Sequence, residues 1–152
     1  MKDTFRNMLR HMAWADRRIG AALAAAAEAP EETVKWYAHI VGAETNWLSR
    51  IEGGDSFVVP VFPDWDVAAS RAASEETLAK YERMLESCDD FGRIAVYRTS
   101  TGAEFRTSVS DILTHVFLHG SHHRGQINAR LRSAGLEPTP VDYILYAREE
   151  KP

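Results

Sequence analysis

Ser108-Val-Ser-Asp111-Ile-Leu-Thr-His115-Val-Phe-Leu-His119-Gly-Ser-His122-His123-Arg124-Gly125-Gln126-Ile127-Asn-Ala-Arg-Leu131-Arg-Ser133-Ala-Gly135 reads as one long amphipathic helix. Ser108 or Thr107 opens it, and Asp111, three residues past Ser108, is a capping-box-like acid. The helix extends to about Ser133. Gly135 suits the position just past its end, and Pro138 and Pro140 prevent its continuation. At about 100° per residue from Val116, residues Val109, Ile112, Leu113, Ile127 and Leu131 fall within roughly 60° of one direction. His123 lies at about −20° and His119 at about −60° on the same wheel, whereas His115 and His122 lie near −100° and −120°. Residues four apart on a helix stack on one face, so His119 and His123 can present two imidazoles to one metal ion. Phase favours this pair over His115 with His119.

Three further helical patterns precede it. The alanine-rich segment from Thr4 to Glu28 carries Phe5, Met8, Leu9, Met12, Ile19, Ala22 and Leu23 at spacings of three and four. A second helix starts near Pro30-Glu31-Glu32, where proline and acids suit a first turn, and runs to about Glu52 before Gly53-Gly54. Asp55 to Asp66 reads as an extended loop, and a third helix follows from Val67 or Ser74 to Ser87. Ile94 to Thr99, the turn Ser100-Thr101-Gly102 and Glu104-Phe-Arg predict a small β-hairpin. Val141 to Arg148 predicts a short terminal turn or helix that packs back through Tyr143, Ile144 and Tyr146. Four long helices in a chain of 152 residues point to an all-α bundle in a single domain, residues 1–152, with the hairpin inserted between helices three and four.

Composition excludes several classes. A net charge of −4 with interspersed signs leaves no basic footprint for nucleic acid. No apolar run approaches membrane-spanning length. The single cysteine, Cys88, rules out an internal disulfide framework and reads as a packed, inert thiol. A start lacking a signal-like apolar core and this cysteine usage make the cytoplasm the expected location.

A metal held by His119 and His123 needs a third ligand from another helix. His39 and His11 are the remaining histidines, and periodicity admits either; Glu44 can offer a carboxylate or be solvated. Arg124 and Gln126 read as hydrogen-bonding residues between helices or subunits rather than anchors for an anion. Gly120 and Gly125 suit close helix approach or room around a metal. The four tryptophans read as core or interface, with Trp47 the one candidate for a pocket wall.

His39-Ile-Val-Gly-Ala-Glu-Thr-Asn-Trp47-Leu48-Ser-Arg50-Ile, followed by His119-x-x-x-His123-Arg124-Gly125-Gln126, resembles the DinB/YfiT-like metalloenzymes. His11-Met-Ala-Trp14-Ala-Asp16-Arg17-Arg18 is similar to that family's first helix. Leu131-Arg132-x-x-Gly135-x-x-Pro138 with Asp142 is similar to its ending, so the resemblance covers nearly the whole chain. It implies a four-helix bundle with one long crossover, a homodimer, and a divalent metal held by His39, His119 and His123. Zn or Ni is the expected ion, with Fe or Mn also admitted. It further implies a metal-dependent enzyme acting on a small molecule, such as an S-transferase using a low-molecular-weight thiol. The alternatives are a metal-dependent hydrolase and a non-enzymatic metal-binding stress-response module.

Overall fold

Four long helices and a hairpin account for most of the chain: α1 (Lys2–Ala25), α2 (Glu31–Ile51), α3 (Val67–Ser87), β1 (Ile94–Arg98), β2 (Glu104–Ser108), α4 (Val109–Ser133) and a short α5 (Tyr143–Glu149). The structure is a computed structural model and describes residues 1–99 and 101–149. Ser100, the first residue of the expected hairpin turn, lies outside the described residues.

Side-chain contacts fix the helix directions. Phe5 packs on Phe117 and Asp16 meets Arg124, so α1 and α4 run parallel. Lys2 Nζ donates to the Glu86 carbonyl while Arg17 pairs with Glu75, so α3 is antiparallel to α1. Arg130 pairs with Glu32 and His115 packs on Trp47, so α2 is antiparallel to α4. Helices α2 and α3 therefore point the same way, and the chain must climb back along the bundle between them. The segment 52–66 does this in extended form, which covers more than twice the length per residue of a helix. It is the single long crossover of an all-α, up-down-down-up bundle, as the resemblance implies.

The crossover is fastened to α2. Asn46 Oδ1 accepts from the backbone N–H of Val58 and Val59, and its Nδ2 donates to the Val59 carbonyl. Pro63 crosses so close to Gly42 that a Cβ there would stand 2.8 Å from the proline ring. Its end is set by Asp66, whose Oδ1 accepts from Ala69 N–H and caps α3, so that helix begins at Val67 and not at Ser74.

Helix α1 starts and stops earlier than expected, at Lys2 and Ala25 instead of Thr4 and Glu28, whereas the expected ends of α4 hold. Ser108 accepts from Asp111 N–H at the start of α4. At its end Leu136 N–H closes onto the Leu131 carbonyl past Gly135, whose φ is +74°. The hairpin pairs Ile94 with Ser108 and Tyr97 with Phe105, burying Ala95 and Tyr97 against the bundle. In α5 Tyr146 is buried and Tyr143 packs back edge-on against His11, as expected, whereas Ile144 is 57% exposed.

The core is two apolar clusters. One groups Phe5, Leu9, Met12, Leu48, Ile51 and Leu85 with the hairpin; the other groups Ile19, Leu23, Tyr37, Ile40, Ile127 and Leu131. A buried charged layer of Asp16, Glu44 and Arg124 separates them at mid-bundle. Arg124 Nε donates to Asp16 Oδ1 at 3.3 Å, so the helix-to-helix reading of Arg124 is the observed one. Gly120 exists for this layer: a Cβ would stand 2.7 Å from Arg124 Nη2. Glu44 is neither solvated nor near the histidine cluster. Burial, then the charge of Asp16, push its carboxyl well above the usual range, while Arg124 pulls it back. Asp16 is also raised by burial, against the pull of Arg124.

Candidate metal centre

Helix α2 delivers His39 and helix α4 delivers His119 and His123 to one place, with a donor nitrogen of each within 4.8 Å of the others. His39 is buried and the other two are half-buried. His119 Nε2 and His123 Nε2 stand 3.1 Å apart. Two nitrogens bound to one tetrahedral ion at about 2.0–2.1 Å stand roughly 3.3–3.4 Å apart, so this spacing suits a shared ion.

The far sides of two rings are already committed. His39 Nδ1–H donates to the Val61 carbonyl at 2.7 Å, so the crossover itself orients this ring. His123 Nδ1–H donates to Gln126 Oε1 at 2.6 Å. Both bonds place the proton on Nδ1 and leave the Nε2 lone pair free, the tautomer a metal requires. Burial, followed by the charges of His123, His39, His115 and His122, pushes His119 down to about 3. Burial also lowers His123, partly offset by the Gln126 bond. These two imidazoles are neutral at physiological pH, so each can offer a ring nitrogen to a metal ion without first losing a proton.

Aromatic rings wall the cluster. Trp36 stacks on His123 at 4.7 Å and meets His39 edge-on. Phe62, from the crossover, stacks on His39 at 4.5 Å. The pocket-wall tryptophan nearest the histidines is therefore Trp36, which sequence reasoning left in the core; its spacing of three before His39 was the available signal. Trp47, the expected candidate, lies one layer further out against His115.

Other candidates are placed elsewhere. His11 Nε2–H donates to the Val141 carbonyl and its ring packs among Trp14, Tyr143 and Tyr146, away from the cluster. His115 and His122 are exposed neighbours, as phase placed them. Gln126 holds a ring of its own helix rather than another helix of this chain. A Cβ at Gly125 would meet nothing within 4 Å, so neither close packing inside this chain nor room for a metal explains it. Cys88 is half-buried against the apolar cluster that includes the hairpin.

A four-helix bundle with a crossover that orients one of three convergent histidines defines a class of candidate metalloprotein. The model of the DinB family matches residues 1–152, and the chain belongs to that family. It is 36% identical over 67 residues to "Protein DinB" of Bacillus subtilis (strain 168), an alignment covering 44% of this chain and 39% of that relative. The match thus spans well under half of the relative's length. No helix among the described residues is long and apolar enough to cross a membrane.

Proposed function

We propose that His39, His119 and His123 bind a divalent ion, Zn or Ni, through Nε2, and that the chain is a metal-dependent S-transferase acting on a small molecule with a low-molecular-weight thiol. The observation that carries the metal reading is the committed Nδ1 of His39 and of His123, which turns two lone pairs towards a third imidazole. A divalent ion held there would act as a Lewis acid, lowering the pKa of a thiol or water so that a nucleophile exists near neutral pH.

The surroundings support a thiol over water. Among the described residues the group able to hold the ion is made of three imidazoles, with no carboxylate in it to serve as a base. A thiol starts near pKa 8.5 and needs little help to ionise, whereas water must be brought down much further. Trp36 and Phe62 cover the rings and limit water, while Val58, Val61 and Phe62 leave apolar surface exposed along the crossover for an acceptor. Pairing into a homodimer belongs to the same reading. Exposed Leu118, Ser121 and Gly125 form a face of α4 with little side-chain bulk beside one large apolar residue, which suits a helix of a second copy.

The deciding experiment loads purified protein with Zn or Ni to stoichiometry and measures turnover of electrophiles with and without added thiol. Thiol-dependent turnover is the expected result. Turnover without thiol identifies a hydrolase instead. None with any thiol at full metal occupancy rejects the transferase.

A further inference from the structure

Arg50 is a buried cation that the fold leaves without an anion. It is 4% exposed. Among the described residues its guanidinium has neither an ion-pair partner nor a hydrogen-bond acceptor, and its Nε is wholly buried and unpaired. Arginine stays charged in proteins, and its five N–H groups need acceptors. What surrounds it is aromatic: Trp47, Phe57 and Tyr97 have ring centroids 4.4, 4.6 and 4.7 Å from its Cζ. Rings satisfy the charge over its faces but supply no in-plane acceptor. The structure gives Arg124, the other deeply buried arginine, a carboxylate; Arg50 has none. Its Nη atoms, also unpaired, are not sealed from solvent as Nε is, so the fork remains approachable from outside.

Its position ties it to the histidine cluster. Arg50 is eleven residues after His39 on α2 (50 − 39), so the two share a face, about 16 Å apart along the axis. A row of rings runs along that interval: His119 to His115 at 5.4 Å, then His115 to Trp47 at 5.0 Å. Arg50 Cζ lies over the ring of Trp47, three residues back along α2, so the guanidinium stands nearer His39 than the Arg50 backbone does, a span on the order of 10 Å.

We propose that Arg50 is a substrate-anchoring residue, whose guanidinium binds a carboxylate at one end of an elongated ligand while the ligand's reactive end lies at the three histidines. The planar fork matches a carboxylate through two parallel N–H···O bonds, and the aromatic box holds the fork in one orientation. Combined with the reading above, which this step rests on, the thiol is one carrying a carboxylate several bonds from its sulfur.

Two measurements separate the anchor from the metal chemistry. In metal-free protein, the Arg50 Nε–H resonance, assigned by its loss in Arg50→Lys, should shift saturably with sodium acetate and not with sodium chloride. In cobalt-loaded protein, sulfur-to-metal charge transfer should be titrated with a ladder of ω-mercaptocarboxylates and their hydroxyl-ended analogues. Mercaptoacetate is too short to span the gap, so affinity should peak near 6-mercaptohexanoate, about tenfold or more above its alcohol analogue. Arg50→Lys should remove that preference while leaving the neutral thiols bound as before. The anchor is overturned if acetate leaves the resonance still, if only inorganic phosphate saturates it, or if acid and alcohol bind alike at every length. Neutral thiols that still give the charge-transfer band in that last case leave the metal–thiol reading standing. An acetate response without any thiol band supports the anchor and rejects the thiol.

Discussion

His123 donates its Nδ1–H to Gln126 Oε1 at 2.6 Å, and this one bond decides which nitrogen of the ring faces His119 and His39. A residue three positions along the same helix thereby sets the tautomer of a candidate ligand. Replacing it with Gln126→Leu removes the acceptor but keeps the bulk. Metal affinity should fall about 10- to 100-fold, the usual effect of losing a partner that orients a ligand. Melting temperature without metal should change little, because Gln126 is half-buried and its hydrogen bond goes to His123 on the same helix. Titration with zinc against a competing chelator reads the loss; unaltered affinity would show that Gln126 orients nothing that matters.

Much of this arrangement was legible beforehand, for identifiable reasons. The phase of α4 separated His119 and His123 from His115 and His122 because a 25-residue helix keeps its period long enough to sort faces. Choosing His39 over His11 was beyond periodicity. That choice depends on the crossover, whose Val61 carbonyl orients His39, and on α5's approach, which brings the Val141 carbonyl to His11. Both bonds join residues far apart in sequence. Trp36 and Phe62 were missed for the same reason: an aromatic residue becomes a wall only when a second segment closes over it. Glu44 was misjudged because one sequence does not show that Asp16 and Arg124 converge on it.

Substituting the histidines one at a time should divide them sharply. His39→Ala, His119→Ala and His123→Ala should each abolish stoichiometric metal. His115→Ala and His122→Ala should retain it, since both side chains lie at the exposed edge. His11→Ala should retain metal as well but lower stability by about 1–3 kcal/mol, for a lost hydrogen bond and vacated volume beneath α5. Elemental analysis and urea unfolding of the same six proteins test this. Full metal content in the His39→Ala protein would exclude it as a ligand.

The carboxyls of the buried layer should respond oppositely to neutralisation. Glu44 lies against Asp16 with burial favouring its protonated form, so Glu44→Gln removes a carboxyl whose charge is disfavoured there and puts an uncharged amide in its place. Stability at pH 7 should hold or rise. Asp16→Asn instead strips the partner from Arg124, which is 1% exposed and has Nη1 already unpaired. An uncompensated buried charge of this kind costs about 3–5 kcal/mol. Denaturant midpoints of the two variants test the assignment, and equal losses would show that both carboxyls are ionised.

Acid should destabilise the metal-free protein through His119. Its pKa drops from the ordinary 6.5 to about 3 on folding, so between those values the unfolded chain binds a proton that the folded chain does not. Stability conferred by the neutral ring is present above 6.5 and is lost as pH falls towards 3, by at most about 1.4 kcal/mol per pH unit for this group. His123, His115 and His11 are lowered as well and act with the same sign. Glu44 and Asp16, raised by burial, act with the opposite sign: their contribution is fullest below their unfolded values and is lost as pH rises through the folded ones. Urea midpoints of metal-free protein between pH 4 and 8 should therefore fall on the acid side, and His119→Gln should flatten that limb while leaving the alkaline side alone. Added zinc should steepen the acid limb, because the ion binds only neutral imidazoles and protons displace it. An acid limb equally steep in His119→Gln would mean that the ring is solvated and titrates normally in the folded chain.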